Sequence, residues 1–347
     1  MSESPPLSPV MVSPLRPQEM PALPHFSESF SWRMITTLVW LLLLGCAAGA
    51  LWWYGRSVSE HFLDDRSLKA LWREAFPLVL LAGPMAVIMI RGGLDLSVGA
   101  VAVLASVVTV SALADGKSPQ EAFTLAMLFS GGIGLVHALL IGPFAINPII
   151  LTLVTALIIQ TSAVLHAAEQ AVLLGQDAGF LESLHYSPIV LGVSLAVSLL
   201  WIQLAQIGGG SRGAPLAHQR WLHRTFLIAP PYVISSLAAG IVGCSLAARF
   251  PLAVPNTDNN MAFLVILAAV IGGNCSGRRF GTVIGAVAGA GILAAFKHLM
   301  TMEAVSVNAS ILILASTAGG ALLLSQLIYW IVNLIYRNSR EGIAATV

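Results

Sequence analysis

The chain has 347 residues, 57% of them hydrophobic and 10% charged, with a formal net charge of +1 and a mean hydropathy of +0.85. A soluble domain carries about 25% charged residues, so this composition excludes an ordinary soluble globule and places the chain in a bilayer. Near-neutrality excludes a nucleic-acid binder and a polybasic surface anchor.

Residues 1–33 hold seven prolines, at 5, 6, 9, 14, 17, 21 and 24, with several serines. Such a segment buries too little apolar surface to offset its ordering entropy and is expected to be a disordered tail. It lacks the basic start and cleavable apolar core of a signal peptide. A proline-rich tail also suits an extended, partner-binding conformation. Residues 34–336 then form the membrane domain, and 337–347 a second short tail.

A spanning helix needs about 20 predominantly apolar residues. Ten candidates occur in order: 34–54, 75–91, 97–114, 122–143, 147–167, 187–206, 226–248, 261–273, 281–297 and 307–336. The expected fold class is therefore all-α and integral to the membrane, with about ten transmembrane helices, some of them broken. With both termini in the cytosol, the inner segments hold ten of the 17 basic residues and five of the 16 acidic ones. That asymmetry has the sign the positive-inside rule requires.

The second and third candidates are separated by Arg91-Gly92-Gly93-Leu94-Asp95-Leu96-Ser97-Val98-Gly99. A charge at membrane depth survives where it is paired or faces a cavity, and backbone freed by glycines must find partners in protein. A cytosol-facing turn with an Arg91–Asp95 pair one helical turn apart is the plainer reading. Gly272-Gly273 interrupts the eighth candidate in the same manner, and matched broken helices in two halves point to a transport site. Both spans run inward in this topology, so the pair alone does not establish an inverted repeat.

Small residues mark helix contacts. Gly281, Gly285 and Gly289 sit four apart, Gly131, Gly132 and Gly134 mark a second face, and Gly240 with Gly243 a third. This spacing lets transmembrane backbones approach closely. Cys46, Cys244 and Cys275 match no disulfide or metal spacing and read as packing residues.

No phosphate loop, His-Glu-x-x-His or paired cysteines occur, so no catalytic residue, metal ligand or bound cofactor is expected in this chain. Polar residues within spans are His137, Asn147, Thr152, Thr155, Gln160, Thr161, Ser162 and His166. Spacings of five, eight and thirteen from Asn147 bring several toward one helical face. That face suits a polar lining for a hydroxyl-rich solute, or interhelical hydrogen bonds. His137 alone reads as a packed, neutral histidine. Asp95 is the sole acid within the spans or their immediate flanks, fewer than a typical ion-coupled carrier embeds.

The stretch Gly92 to Gly99 resembles the Gly-Gly-Ile-Asp-Leu-Ser-Val-Gly signature of ribose-type ABC sugar importer permeases, with one Ile/Leu exchange. Asn147-Pro148-Ile149-Ile150-Leu151-Thr152-Leu153 is similar to that family's Pro-Phe-Ile-x-Thr-Leu-Gly block. Ile207 to Ala217 resembles its cytosolic Ile-Gly-Gly-Asn-x-x-Ala-Ala-x-Leu-x-Gly loop, and Ala247–Phe250 with 271–273 and 281–285 its C-terminal block. The resemblance covers about residues 60 to 335. It implies a type II ABC-importer-like permease fold in a bacterial inner membrane. It implies as partners a second permease copy, ABC ATPase subunits carrying ATP and Mg, and a periplasmic or extracellular sugar-binding protein. Gly92, Gly93, Asp95, Ser97, Asn147, Thr152 and Thr155 become candidates for the substrate pathway or its gate. Gly208, Gly209, Ser211, Arg212, Ala214 and Leu216 become the ATPase-coupling loop.

Departures from the family pattern occur at three places, and the Pro-rich tail is longer than usual. The coupling loop reads Gly210-Ser211-Arg212-Gly213-Ala214-Pro215 where Asn-Glu-x-Ala-Ala is usual. His137-Ala138 replaces a frequent Asn-Gly, and Asn274 to Arg279 replaces a smaller glycine-rich loop. A secondary carrier working without an ATPase, or a non-transporting scaffold, are the rival functional readings.

Overall fold

The computed structural model describes residues 30–168, 179–185, 187–208, 224–249, 260–274, 282–306 and part of 309–327. The side chains at 30–37, 166–168, 185, 202–208, 224, 227 and 249 are outside that description. Both expected tails lie largely or wholly outside the described residues, as do Gly281 and Cys275.

All regular structure among the described residues is helical. The helices are α1 (Phe30–Val58), α2 (Asp65–Ile90), α3 (Val98–Ala114), α4 (Pro119–Ile141), α5 (Pro148–Ala168), α6 (Gly179–His185), α7 (Pro188–Gly208), α8 (Pro230–Arg249), α9 (Met261–Ile271) and α10 (Val283–Met302). A 3-10 turn, Glu60–Leu63, precedes α2, and a π turn, Arg224–Ile228, precedes α8. Six helices are long and apolar enough to cross a membrane, and α3, α9 and residues 188–201 of α7 are shorter apolar helices. The protein is therefore a multi-pass membrane protein. Helical residues recur across 309–327, where the last expected span falls.

The main departure from the sequence expectation is the start of α2, at Asp65 and not near residue 75. The charges at 65–74 support this longer helix. Asp65 pairs with Lys69 one turn on at 2.7 Å, and Glu74 reaches Lys297 of α10 at 2.6 Å. Ser67 Oγ hydrogen-bonds His298 Nε2 at 2.9 Å. At 1.5 Å per residue, the 26-residue α2 is about 39 Å long. The hydrocarbon core is about 30 Å thick, so this polar first third can remain outside it. α9, with 11 residues, covers only about 16 Å, roughly half that thickness.

α2 is the central helix, buried almost continuously from Ala75 to Met89. It packs on α10, α8, α7 and α9, while α3 lies against α8, α4 and α5. Pro77 and Pro84 lie within α2, and a proline leaves the carbonyl four residues earlier without its helical donor. For Pro84 that carbonyl is Leu80 O, and Ser194 Oγ of α7 donates to it at 3.1 Å. The freed carbonyl is thus satisfied from a neighbouring helix, as a bilayer demands.

Small residues set the closest approaches. A Cβ at Gly134 of α4 would stand 2.8 Å from Val233 Cα, and one at Gly240 of α8 would run into Met127 and Ser130. One turn on, Gly243 faces the backbone of α3 at Ala102 and Ser106. α8 is thus wedged between α4 and α3. Gly285 and Gly289 likewise receive the end of α9 at Gly272 and Ala268. By contrast, Gly132 meets nothing within 4 Å. Cys244 is buried, with Thr109 Oγ1 at 3.4 Å, and Cys46 is exposed on α1.

Candidate functional site

The C-terminus of α2 closes on two glycines. Gly92 adopts φ +80°, a left-handed conformation that glycine enters without the Cβ penalty. Its N–H donates to Met89 O at 2.9 Å and that of Gly93 to Ile88 O at 3.1 Å. These two bonds form a Schellman cap. Gly93 is needed for space, since a Cβ there would collide with the Tyr232 hydroxyl of α8.

Beyond this cap Asp95 is completely buried. Its Oδ1 accepts from Ser97 N–H at 3.0 Å and from Ser97 Oγ at 2.6 Å. Its Oδ2 accepts from Ser235 Oγ of α8 at 2.7 Å. No ion pair joins it to Arg91, which is half-buried at the cap. The carboxylate therefore replaces water with three donors, the condition under which such a charge is tolerated at depth. It also holds Ser97, the residue before α3, and links it to α8.

Thr152 fastens the same loop to α5. Its buried hydroxyl accepts from Leu96 N–H at 3.2 Å and donates to Pro148 O at 2.9 Å. Asn147 stands exposed just before Pro148, where its Oδ1 accepts from Ile149 N–H at 3.0 Å and Ile150 N–H at 3.4 Å. That is a helix N-cap followed by proline at the first helical position. Thr155 is half-buried and donates to Leu151 O of its own helix at 2.8 Å. Ser162 bonds Ile158 O in the same way, and both it and Thr161 are exposed. Gly92, Gly93, Asp95, Ser97 and Thr152 thus converge, while Asn147 and Thr155 serve α5 itself.

Two partners of this cluster were not legible in the sequence. Ser235 and Tyr232 lie in the first turns of α8, 140 and 137 residues beyond Asp95, with nothing in local spacing to join them. Tyr232 packs with Ile88 and Ile141. His137 is fully buried, as expected for a packed histidine, but neither ring nitrogen has a hydrogen-bond partner. Among the described residues no three His, Cys, Asp or Glu side chains form a metal-holding group.

The model of the branched-chain amino acid transport system permease component family matches residues 67–206 and 224–335. This chain belongs to that family. The permease is 25% identical to the L-arabinose ABC transporter permease AraH of Azospirillum brasilense, over 77% of this chain and 80% of that protein. It is 24% identical to the ribose import permease RbsC of Bacillus subtilis, over 72% and 81%. It is 26% identical to the D-allose transport system permease AlsC of Escherichia coli, over 67% and 76%. No solved structure matches the permease. The family match skips 207–223. Of the expected coupling residues, Gly208 ends α7, and Gly209, Ser211, Arg212, Ala214 and Leu216 lie outside the described residues.

Proposed function

We propose that this permease is the membrane-spanning subunit of an ATP-driven importer for a monosaccharide-like solute. One observation carries the reading: the arabinose, ribose and allose permeases match it over two thirds or more of its length. A bilayer excludes a solute whose hydroxyls have lost water, so a passage must supply polar groups in its place. The loop that carries Asp95 and Ser97 is tied to α3, α5 and α8 and would act as the inner gate. Asn147, Thr152 and Thr155 line its approach along α5.

In this reading about ten spans adopt a type II importer-like fold in a bacterial inner membrane, with both termini in the cytosol. Residues 1–33 and 337–347 are cytosolic tails flanking a membrane domain at 34–336. Two permease chains form the pathway, a sugar-binding protein delivers solute outside, and ABC ATPase subunits hold ATP and Mg. The loop from Gly208 to Leu216 docks those ATPases. The break in the family match at 207–223 favours a second reading, a permease-derived scaffold that no longer couples to hydrolysis.

Proteoliposomes containing the permease and its ATPase, with and without the binding protein, test both readings. Solute-stimulated ATP hydrolysis accompanied by uptake of a labelled monosaccharide is the expected result. Uptake that persists without the ATPase would instead make the chain a secondary carrier. A stable complex with neither activity across a broad solute panel would leave the scaffold.

A further inference from the structure

Ser194 of α7 is set against the break in the central helix. Ser198, Thr155 and Ser162 each donate to the carbonyl four residues back in their own helix, the usual habit of a hydroxyl within a helix. Ser194 donates instead across to α2, to Leu80 O at 3.1 Å. That carbonyl is the one Pro84 leaves without its helical donor. The two helices are also close here. A Cβ on Gly83, the residue before the proline, would stand 3.0 Å from Ser198 Oγ, one turn along α7 from Ser194. Glycine also frees position 83 from the clash between a proline ring and the Cβ before it. The weak point of α2 is thus bridged by a neighbour and not by α2 itself.

The joined helices lead to different parts of the inner face. Among the described elements α7 packs chiefly on α2, and it ends at Gly208, where the expected ATPase-coupling loop begins. From Pro84 to Ile90 α2 runs about 10 Å further. It then passes into the loop that holds the buried Asp95. A proline break is where a helix bends. Here the break is held by a side chain of α7, so a displacement of α7 acts on α2 at the point where it bends.

We propose that Ser194 is a positioning residue for transport, whose bond to Leu80 O passes movement of the coupling loop through α7 to the inner end of α2 and the Asp95 loop. The proposal rests on the importer reading and names the route by which the ATPase reaches the gate. Packing alone does not assign this role, since a residue that only filled the seam would have no bearing on how hydrolysis is coupled to uptake.

The test measures labelled monosaccharide taken up per ATP hydrolysed, in proteoliposomes of the permease with its ATPase and binding protein. Ser194→Ala should lower this ratio by about twofold or more, the size of effect that changes along a coupling route produce, while hydrolysis continues. Ser194→Thr keeps the hydroxyl and should keep the ratio. Ser194→Cys, a weaker donor of similar size, should fall between, and its comparison with Ser194→Thr carries the test if Ser194→Ala fails to assemble. Pro84→Ala restores an N–H for Leu80 O, so adding Ser194→Ala to it should lower the ratio no further, the non-additivity of two residues that share one partner. An unchanged ratio in Ser194→Ala overturns the proposal, even if its unfolding midpoint in detergent falls. So does an equal loss with and without Pro84→Ala. Wild type without ATP-driven uptake would fail the importer reading and this proposal with it, an outcome distinct from a failure confined to the variants.

Discussion

The two glycine pairs make the same turn and use it for different ends. At the end of α9, Gly273 takes φ +86° and donates to Val270 O, while Asn274 N–H donates to Ala269 O, each at 2.9 Å. These bonds repeat those of Gly92 and Gly93 at the end of α2. Beyond the turn the two breaks diverge. After Gly93 comes a loop whose buried carboxylate links Ser97, just before α3, to α8 and whose Leu96 N–H bonds Thr152 of α5. At Gly272 and Gly273 the turn itself is the contact. Gly272 lies against the backbone of Gly285 and Ala286 on α10, and the Trp40 indole of α1 covers Gly273 while donating to Ile271 O at 2.9 Å. A helix break in a bilayer must have its freed backbone satisfied. One break does so around a charge, the other by close packing.

That contrast is most exposed to substitution at the second turn. Gly272→Ala sets a Cβ into the backbone of α10, which no rotamer change relieves. A loss of about 3 kcal/mol is expected, at the upper end for overpacking. Thermal unfolding in detergent, or the folded fraction on size exclusion, would register it. If Gly272→Ala proves as stable as wild type, close packing does not hold the second turn.

Next in size is Asp95→Ala, which leaves the Ser97 and Ser235 hydroxyls without their acceptor, at about 2 kcal/mol for bonds to a charged group. Asp95→Asn retains an acceptor for Ser97 and is expected to lose less. Equal losses for the two variants would mean that packing, not hydrogen bonding, holds the first turn.

Gly93→Ala ranks third, because the obstacle is the movable end of Tyr232 and not backbone. It should cost about 1–2 kcal/mol, and Tyr232→Phe in the same chain should recover much of that. Failure of this rescue would remove the close approach as the reason for glycine at 93.

The smallest effect comes from comparing the two left-handed positions. Gly92→Ala meets open space and carries only the conformational penalty of about 1 kcal/mol. Gly273→Ala carries the same penalty plus contact with Trp40 Nε1 at 2.9 Å. Unfolding midpoints should therefore rank Gly92→Ala above Gly273→Ala, with the gap narrowing in a Trp40→Leu background.

Much of this was legible beforehand. Among the described residues, apolar runs placed nine of the helices in order and to within a few residues at most boundaries, because a bilayer demands about 20 apolar residues per span. The short α6 fell in an expected loop. The start of α2 lies ten residues before the expected span, in a charged stretch where Glu74 meets Lys297 of α10. Gly92 and Gly93 announced a break, and Asp95 a group in need of partners. The obvious partner was Arg91, one turn away, yet the carboxylate bonds Ser97 and Ser235. Hydropathy and spacing are local, so the sequence by itself determined a polytopic helical protein with a charged interruption after its second span. Which helices meet at that interruption depends on contacts across 140 residues. Only the tertiary structure wedged α8 between α3 and α4, closing Asp95 under Ser235 and burying His137 without a partner.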